Sequence, residues 1–286
     1  MTPIIPIIVP TFNNPTYLRS MLNQLHTMQF ANVIVIDSAS TTPDMLLLLE
    51  TLKNQIEIVR LPQNYGPKYF SQNEIFYKKL PGYFCVTDPD LTFNKRLPST
   101  FLEELMEITK KFEKGKAGFA LDISDSNEMR ADLIQFEGKN YHIWEWEAQF
   151  WSRQIGETSD YNPIYEAPID TTFALYNKTF FDPHRSNDAI RVAGRYTCKH
   201  LPWYVENGLP EAEELAYRQS QQNSWYFGGP KILPEKLTLK ERLVRNRLLI
   251  ERYGARLWLG EKITRWFGMP ERSKQIQEEM KLIDRM

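Results

Sequence analysis

Ile4-Ile5-Pro6-Ile7-Ile8-Val9, the turn cluster Pro10-Thr11-Phe12-Asn13-Asn14-Pro15, a helical stretch over 16–29 and the run Asn32-Val33-Ile34-Val35-Ile36-Asp37 spell one strand–helix–strand unit. Within 16–29, Leu18, Met21, Leu22, Leu25 and Met28 recur at helical spacing. The pattern continues with a helix over 45–53 and a third strand, Ile56-Glu57-Ile58-Val59-Arg60-Leu61. A helix over about 68–79 leads to a fourth strand, Tyr83-Phe84-Cys85-Val86-Thr87, which ends at Asp88-Pro89-Asp90. Short β-rich runs separated by helices predict right-handed crossovers and a mostly parallel sheet. Pro6 has no N–H to give a ladder, so the first strand must begin late or be irregular there.

Downstream, 98–112 is a well-marked helix: Pro98, Ser99 and Thr100 open it, Glu103 and Glu104 lie early, Lys110 and Lys111 late, and Gly115 follows. Strands are predicted over 116–123 and 171–176, with an aromatic-rich segment between them. From about Lys231 the texture changes. Residues 236–267 carry nine Lys or Arg against three Glu, with apolar residues at helical spacing, which reads as one or two appended amphipathic helices. The expected organisation is a catalytic domain over 1–230, with a ligand-binding half at about 1–97 and a second half at about 98–230, then a basic helical tail over 231–286.

Composition narrows the class. Apolar residues are 42% and charged residues 25% of the 286, which excludes a fibrous or largely disordered chain. Lys and Arg total 35 against 36 Asp and Glu, too even a balance for a protein that coats nucleic-acid phosphates, so no nucleic-acid partner is expected. No apolar run approaches the roughly 20 residues that span a bilayer, and Met1-Thr2-Pro3 lacks the basic start of a signal peptide. Two cysteines make no disulfide framework. The expected setting is the cytoplasm.

Ligands of open α/β sheets bind beyond the carboxyl ends of the strands, and Thr11, Asn13, Asp37, Asp88 and Asp90 stand at such ends. Two carboxylates one residue apart, with Pro89 breaking the strand between them, suit a hard cation such as Mg²⁺ or Mn²⁺ that also takes phosphate oxygens. The plainer reading is a turn with no ligand, because Asp-Pro-Asp is also a good turn sequence. The chain has no Gly-x-Gly-x-x-Gly after the first strand, no Walker lysine loop, no Gly-x-Ser-x-Gly elbow and no His-Glu-x-x-His.

Four blocks, Pro10-Thr11-Phe12-Asn13, Val33 to Ser40, Asn64-Tyr65-Gly66-Pro67 and Thr87-Asp88-Pro89-Asp90, resemble in order and spacing the successive blocks of a GT-A-fold glycosyltransferase of the family 2 type. The resemblance covers roughly residues 4–95 and implies a Rossmann-like, mostly parallel sheet flanked by helices, a nucleotide-sugar donor (usually a UDP-sugar) and Mn²⁺ or Mg²⁺ as cofactor. On that pattern Thr11, Asn13 and Asp37 contact uracil or ribose, Asn64 and Gly66 shape the nucleotide pocket, and Asp88 and Asp90 form the DxD motif for the metal and diphosphate. The chain departs from the pattern at Ser38, where many members carry a second aspartate.

In the second half, His200 in Cys198-Lys199-His200-Leu201-Pro202-Trp203-Tyr204 resembles the late histidine that completes the metal shell in several GT-A enzymes. The alternative is a histidine packed on Trp203. Lys199 or Arg195 could pair with the diphosphate. An inverting enzyme needs a carboxylate near the acceptor hydroxyl. Asp170 is the first candidate, just before a predicted strand, followed by Glu147 and Glu166. Trp144, Trp146, Trp151 and Trp203 are candidate platforms for sugar rings or plain core residues. The expected activity is metal-dependent sugar transfer to a glycan or lipid-linked acceptor in polysaccharide, lipopolysaccharide or glycoprotein synthesis. Residues 236–267 could then lie on an anionic membrane surface or pack on the core. Two other readings stay open: a sugar-phosphate nucleotidyltransferase, and a silent nucleotide- or carbohydrate-binding module. The first would open on a Gly-rich basic loop where this chain has Thr11-Phe12-Asn13-Asn14.

Overall fold

The computed structural model describes residues 5–131, 133–136, 139–170, 172–183 and 188–220, with isolated positions beyond 254. The tail expected over 231–286, including the basic stretch 236–267, lies essentially outside the described residues.

The first half is β1 (Ile7–Thr11), α1 (Pro15–Thr27), β2 (Val33–Asp37), α2 (Pro43–Leu52), β3 (Glu57–Arg60), α3 (Tyr69–Gln72), α4 (Glu74–Lys79), β4 (Tyr83–Val86), β5 (Leu91–Phe93) and α5 (Phe101–Lys111). The second half is β6 (Lys116–Phe119), β7 (Leu133–Phe136), β8 (Lys139–His142), α6 (Ile143–Ala148), β9 (Gln154–Glu157), β10 (Pro163–Glu166), β11 (Ala174–Asn177), β12 (Ala189–Val192), β13 (Cys198–His200) and α7 (Glu211–Ser220). One nine-stranded sheet runs in the order β3-β2-β1-β4-β11-β6-β12-β10-β9. Strands β5 and β13 form a separate two-stranded ribbon, as do β7 and β8.

Strands β3, β2, β1 and β4 are mutually parallel, with Ile8 opposite both Ile34 and Val86. β1 begins immediately after Pro6, whose carbonyl still accepts from the Cys85 N–H at 2.8 Å. The chain moves outward from β1 to β2 and β3, then returns to the other side of β1 with β4, which makes a topological switch point between β1 and β4.

Residues of these strands alternate between two buried faces. Ile7, Val9, Val33, Val35 and Cys85 pack with Leu18, Met21 and Leu25 of α1, Met45 and Leu48 of α2, and Phe101 and Leu105 of α5. Ile8, Ile34, Ile36, Phe84 and Val86 pack on the other face with Phe70 of α3 and Tyr176 of β11. Burial on both faces explains why β1, β2 and β4 read as unbroken apolar runs, whereas β3, at the sheet edge, exposes Glu57 and Arg60.

Two predicted elements come out differently. The helix over 68–79 is two short helices broken at Asn73, whose Oδ1 accepts from the Phe76 N–H at 2.9 Å and so caps the second one. The strand predicted over 171–176 is β11, and it runs antiparallel between β4 and β6. That insertion needs a close approach: a Cβ on Gly118 would lie 2.3 Å from the Phe173 carbonyl oxygen, a distance no other residue can meet.

Candidate active site

The site collects at the carboxyl edge of β1, β2 and β4. At the end of β1, Thr11 lies opposite Asp37, and its carbonyl accepts from the Ser38 N–H at 3.0 Å. Asn13 takes a left-handed backbone, φ 51°, that an asparagine side chain supports by local hydrogen bonds. Its N–H donates to Ser40 Oγ at 2.8 Å, and its Oδ1 accepts from the Thr41 and Thr42 N–H groups at 2.8 and 3.1 Å. Asp37 is fully buried; its carboxylate accepts from the Ser40 N–H at 3.3 Å and from Arg60 Nε at 3.1 Å. Thr11, Asn13 and Asp37 thus tie the β1 and β2 loops into one wall. Asn64 is exposed and accepts from the Gly66 N–H at 2.8 Å, with Gly66 at φ 75°.

Past β4, Thr87 stays on the ladder through its N–H bond to the Ile8 carbonyl, 3.0 Å, and the chain then turns through Asp88, Pro89 and Asp90 into β5. Asp88 sits deep among protein atoms while keeping some contact with solvent. Burial first, and then the Asp90 and Asp170 carboxylates, push its acid well above the ordinary range. Asp90 is buried.

The β5–β13 ribbon is what the sequence did not disclose. It sets Leu91 opposite His200, and the Leu201 N–H donates to the Asp90 carbonyl at 2.8 Å. His200 Nε2 then lies 3.4 Å from Asp90 Oδ2, and the imidazole meets the Trp203 ring edge-on at 5.1 Å. The packing on Trp203 is thus observed, and the same imidazole lies beside Asp90. Among the described residues no group of three or more His, Cys, Asp or Glu side chains is gathered closely enough to hold a metal ion; Asp90 and His200 are a pair.

Of the carboxylates considered as a base, Asp170 is exposed, 3.7 Å from Lys68 Nζ, and close enough to Asp88 to act on its acid. Glu147 is buried in an ion pair with Arg191, and burial outweighs that cation to push its acid up to about 7. Glu166 sits at the β10 end beside Ile190, the second residue of β12, paired with Lys114 at 2.9 Å and Arg153 at 2.6 Å. The Lys114 hydrogen bond holds the Glu166 acid below its usual range.

Lys199 pairs with Asp125 and lies over the Tyr204 ring, and Arg195 pairs with Asp160. Trp144 is buried and stacked on His142, Trp203 is buried against His200, and half-buried Trp146 packs on Tyr141 and Phe150. Lys116 and Arg191, both buried, escaped sequence reading because nothing in a strand pattern marks an inward-facing cation.

The parallel half of this mixed sheet, covered on both faces and with polar strand ends around a switch point, is where open α/β folds bind ligands. Residues 7–159, more than half of the chain, match Glycosyl transferase family 2, and the chain belongs to that family: it is a glycosyltransferase. No curated protein matches it in sequence. Solved structures similar to it include HddC from Yersinia pseudotuberculosis, at 8% identity over 71% of this chain and 96% of that one, with a TM-score of 0.42. S. aureus TarS 1-349 is 13% identical over 97% of this chain and 91% of that one, with a TM-score of 0.38. GalNAc-T7, solved with UDP, GalNAc and Mn²⁺, is 12% identical over 70% of this chain and 44% of that one, with a TM-score of 0.43. The family assignment rests on the sequence match. No helix among the described residues is long and apolar enough to cross a membrane.

Proposed function

We propose that this glycosyltransferase moves a sugar from a nucleotide-sugar donor, a UDP-sugar, to a hydroxyl of a glycan or lipid-linked acceptor at the edge bearing Asp88, Asp90 and His200. The observation that carries the reading is the β5–β13 pairing, which sets His200 Nε2 3.4 Å from Asp90 Oδ2 just past the switch-point strand. Carboxylate oxygens and an imidazole fit Mn²⁺ or Mg²⁺ in a site that leaves other positions to diphosphate oxygens and water. Asp90 and His200, the pair already together, would hold that ion, with Asp88 joining them once the diphosphate is bound, and the ion would neutralise the charge that develops on the departing nucleoside diphosphate.

The protein's own groups do the rest. The wall of Thr11, Asn13 and Asp37 borders the nucleotide, with Asn64 and Gly66 at its rim. Asp170 accepts the proton of the attacking hydroxyl, supported by its exposure and its nearness to Asp88; Glu147 and Glu166 are committed to Arg191 and to Lys114 with Arg153. Trp144 and Trp203 serve mainly as packing, and Trp146 is the more open of the three toward a sugar ring. The basic composition of residues 236–267, nine Lys or Arg against three Glu, supports binding to an anionic membrane surface, with packing on the core as the alternative; salt-sensitive sedimentation with anionic liposomes, lost on truncation after Lys231, tells the two apart.

Calorimetric titration of the full chain with UDP, with and without Mn²⁺, tests the site. Mn²⁺ should tighten UDP binding at least about tenfold, roughly 1.4 kcal/mol. Equal affinity with and without Mn²⁺ in the wild type overturns the reading. A screen of nucleotide sugars for hydrolysis then identifies the donor.

A further inference from the structure

Two buried cations grip the segment that carries Asp170. Lys116, the first residue of β6, is 3% exposed, and its Nζ donates to the Ile169 carbonyl at 3.0 Å. Arg191 of β12 is 2% exposed, and its Nε donates to the Pro168 carbonyl at 2.7 Å. The rest of its guanidinium is committed as well: Nη1 pairs with Glu147, and the group lies 4.4 Å from the Phe150 ring centre. The two cations come from adjacent paired strands, and the carbonyls they hold are the two immediately before Asp170.

Burying such groups is costly. Burial, with Lys68 adding repulsion, pushes the Lys116 ammonium down to about 8. A hydrophobic residue of similar length would fill the same space without that penalty. What it would not supply is a donor to the Ile169 carbonyl and a positive charge near the Asp170 carboxylate.

We infer that Lys116 and Arg191 are positioning residues that hold the Pro168–Ile169 backbone so that Asp170 stands beside Asp88, with Glu147 and Phe150 keeping Arg191 in place. The inference rests on the proposed role of Asp170 as proton acceptor. It gives Glu147 a task in the site although its carboxylate is committed to Arg191.

The test compares full-length wild type, Lys116→Met, Lys116→Arg, Asp170→Asn and the Lys116→Met/Asp170→Asn double variant. Turnover is read as UDP released from UDP-glucose, UDP-galactose and UDP-N-acetylglucosamine with Mn²⁺. Backbone order is read as amide exchange in peptides spanning 163–173. In Lys116→Met, kcat should fall roughly ten- to 100-fold with the donor KM nearly unchanged, because the reacting carboxylate is misplaced rather than the donor lost. Lys116→Arg should recover most of the rate, and Lys116→Met should add little to Asp170→Asn in the double variant. Exchange should rise in 163–173 and stay at the wild-type level in β1 and β2.

Wild-type exchange across 163–173 in Lys116→Met overturns the inference whether or not turnover is measurable. So does full kcat in Lys116→Met alongside an inactive Asp170→Asn. Wild-type turnover by Asp170→Asn instead overturns the role proposed for Asp170, and the exchange result still judges the tether. Should Lys116→Met not fold, Arg191→Lys carries the same measurements, since a single ammonium nitrogen lacks the separate Nε and Nη1 donors with which the guanidinium spans the Pro168 carbonyl and Glu147.

Discussion

His200 Nε2 lies 3.4 Å from Asp90 Oδ2, an approach made by the pairing of β13 with β5 and not by any closeness in sequence. A cation bound between them would draw on both, so each side chain should matter to metal-assisted nucleotide binding. Asp90→Asn and His200→Ala are each expected to reduce the Mn²⁺ enhancement of UDP affinity about tenfold or more, with metal-free UDP binding little changed. Paired calorimetric titrations check this. Full enhancement in both variants would remove Asp90 and His200 from the metal site.

In the proposed mechanism Asp170 takes the proton of the acceptor hydroxyl. Removing a general base typically costs a factor of roughly 10² to 10⁴ in rate. Asp170→Asn should therefore lose at least about 100-fold in kcat while binding UDP with Mn²⁺ close to normally, whereas Glu166→Gln should stay within about twofold because Glu166 is held by Lys114 and Arg153. Initial rates of UDP release separate the two. A larger loss in Glu166→Gln would reverse their order.

Lys116 should leave a mark on stability at alkaline pH. Its pKa is depressed in the fold to about 8 from 10.5, so in that window the unfolded chain holds a proton the folded chain has released. The stability this contributes is complete above about 10.5 and is lost as pH falls through about 8. The unfolding free energy of wild type relative to Lys116→Met should rise between about pH 8 and pH 10.5, by on the order of 3 kcal/mol at most, measured by denaturant titration at each pH. A difference that stays flat across that range would mean the ammonium is not desolvated.

Phe84 is the stability control. It is fully buried and stacked on Tyr176 at 4.9 Å, a side-chain contact across the β4–β11 ladder that joins the parallel half of the sheet to β11. Phe84→Ala should cost about 3–5 kcal/mol in denaturant unfolding. If the loss is below 1 kcal/mol, the β4–β11 seam relaxes around the cavity and is looser than the packing implies.

The unbroken apolar runs over 7–9, 33–36 and 83–86 were enough to specify β1, β2 and β4, because a strand buried on both faces must be apolar at nearly every position, and the helical stretches between them called for parallel crossovers. The helix breaks were less legible: Asn73 reads as one polar residue in a helical window, and only its bond to the Phe76 N–H makes it a cap. The acids at the strand ends could be located for a similar reason, since polar side chains ending a buried run fall at the sheet edge.

What sequence by itself determined, then, is the parallel half of the sheet and the row of polar groups along its carboxyl edge, for these follow from local periodicity. Tertiary structure alone decided that β11 enters antiparallel beside Gly118, that His200 reaches Asp90, and that Lys116 and Arg191 hold the chain ahead of Asp170. Those are contacts between distant segments, set by which backbones pair and how closely they can pack, and no window along the chain contains both partners.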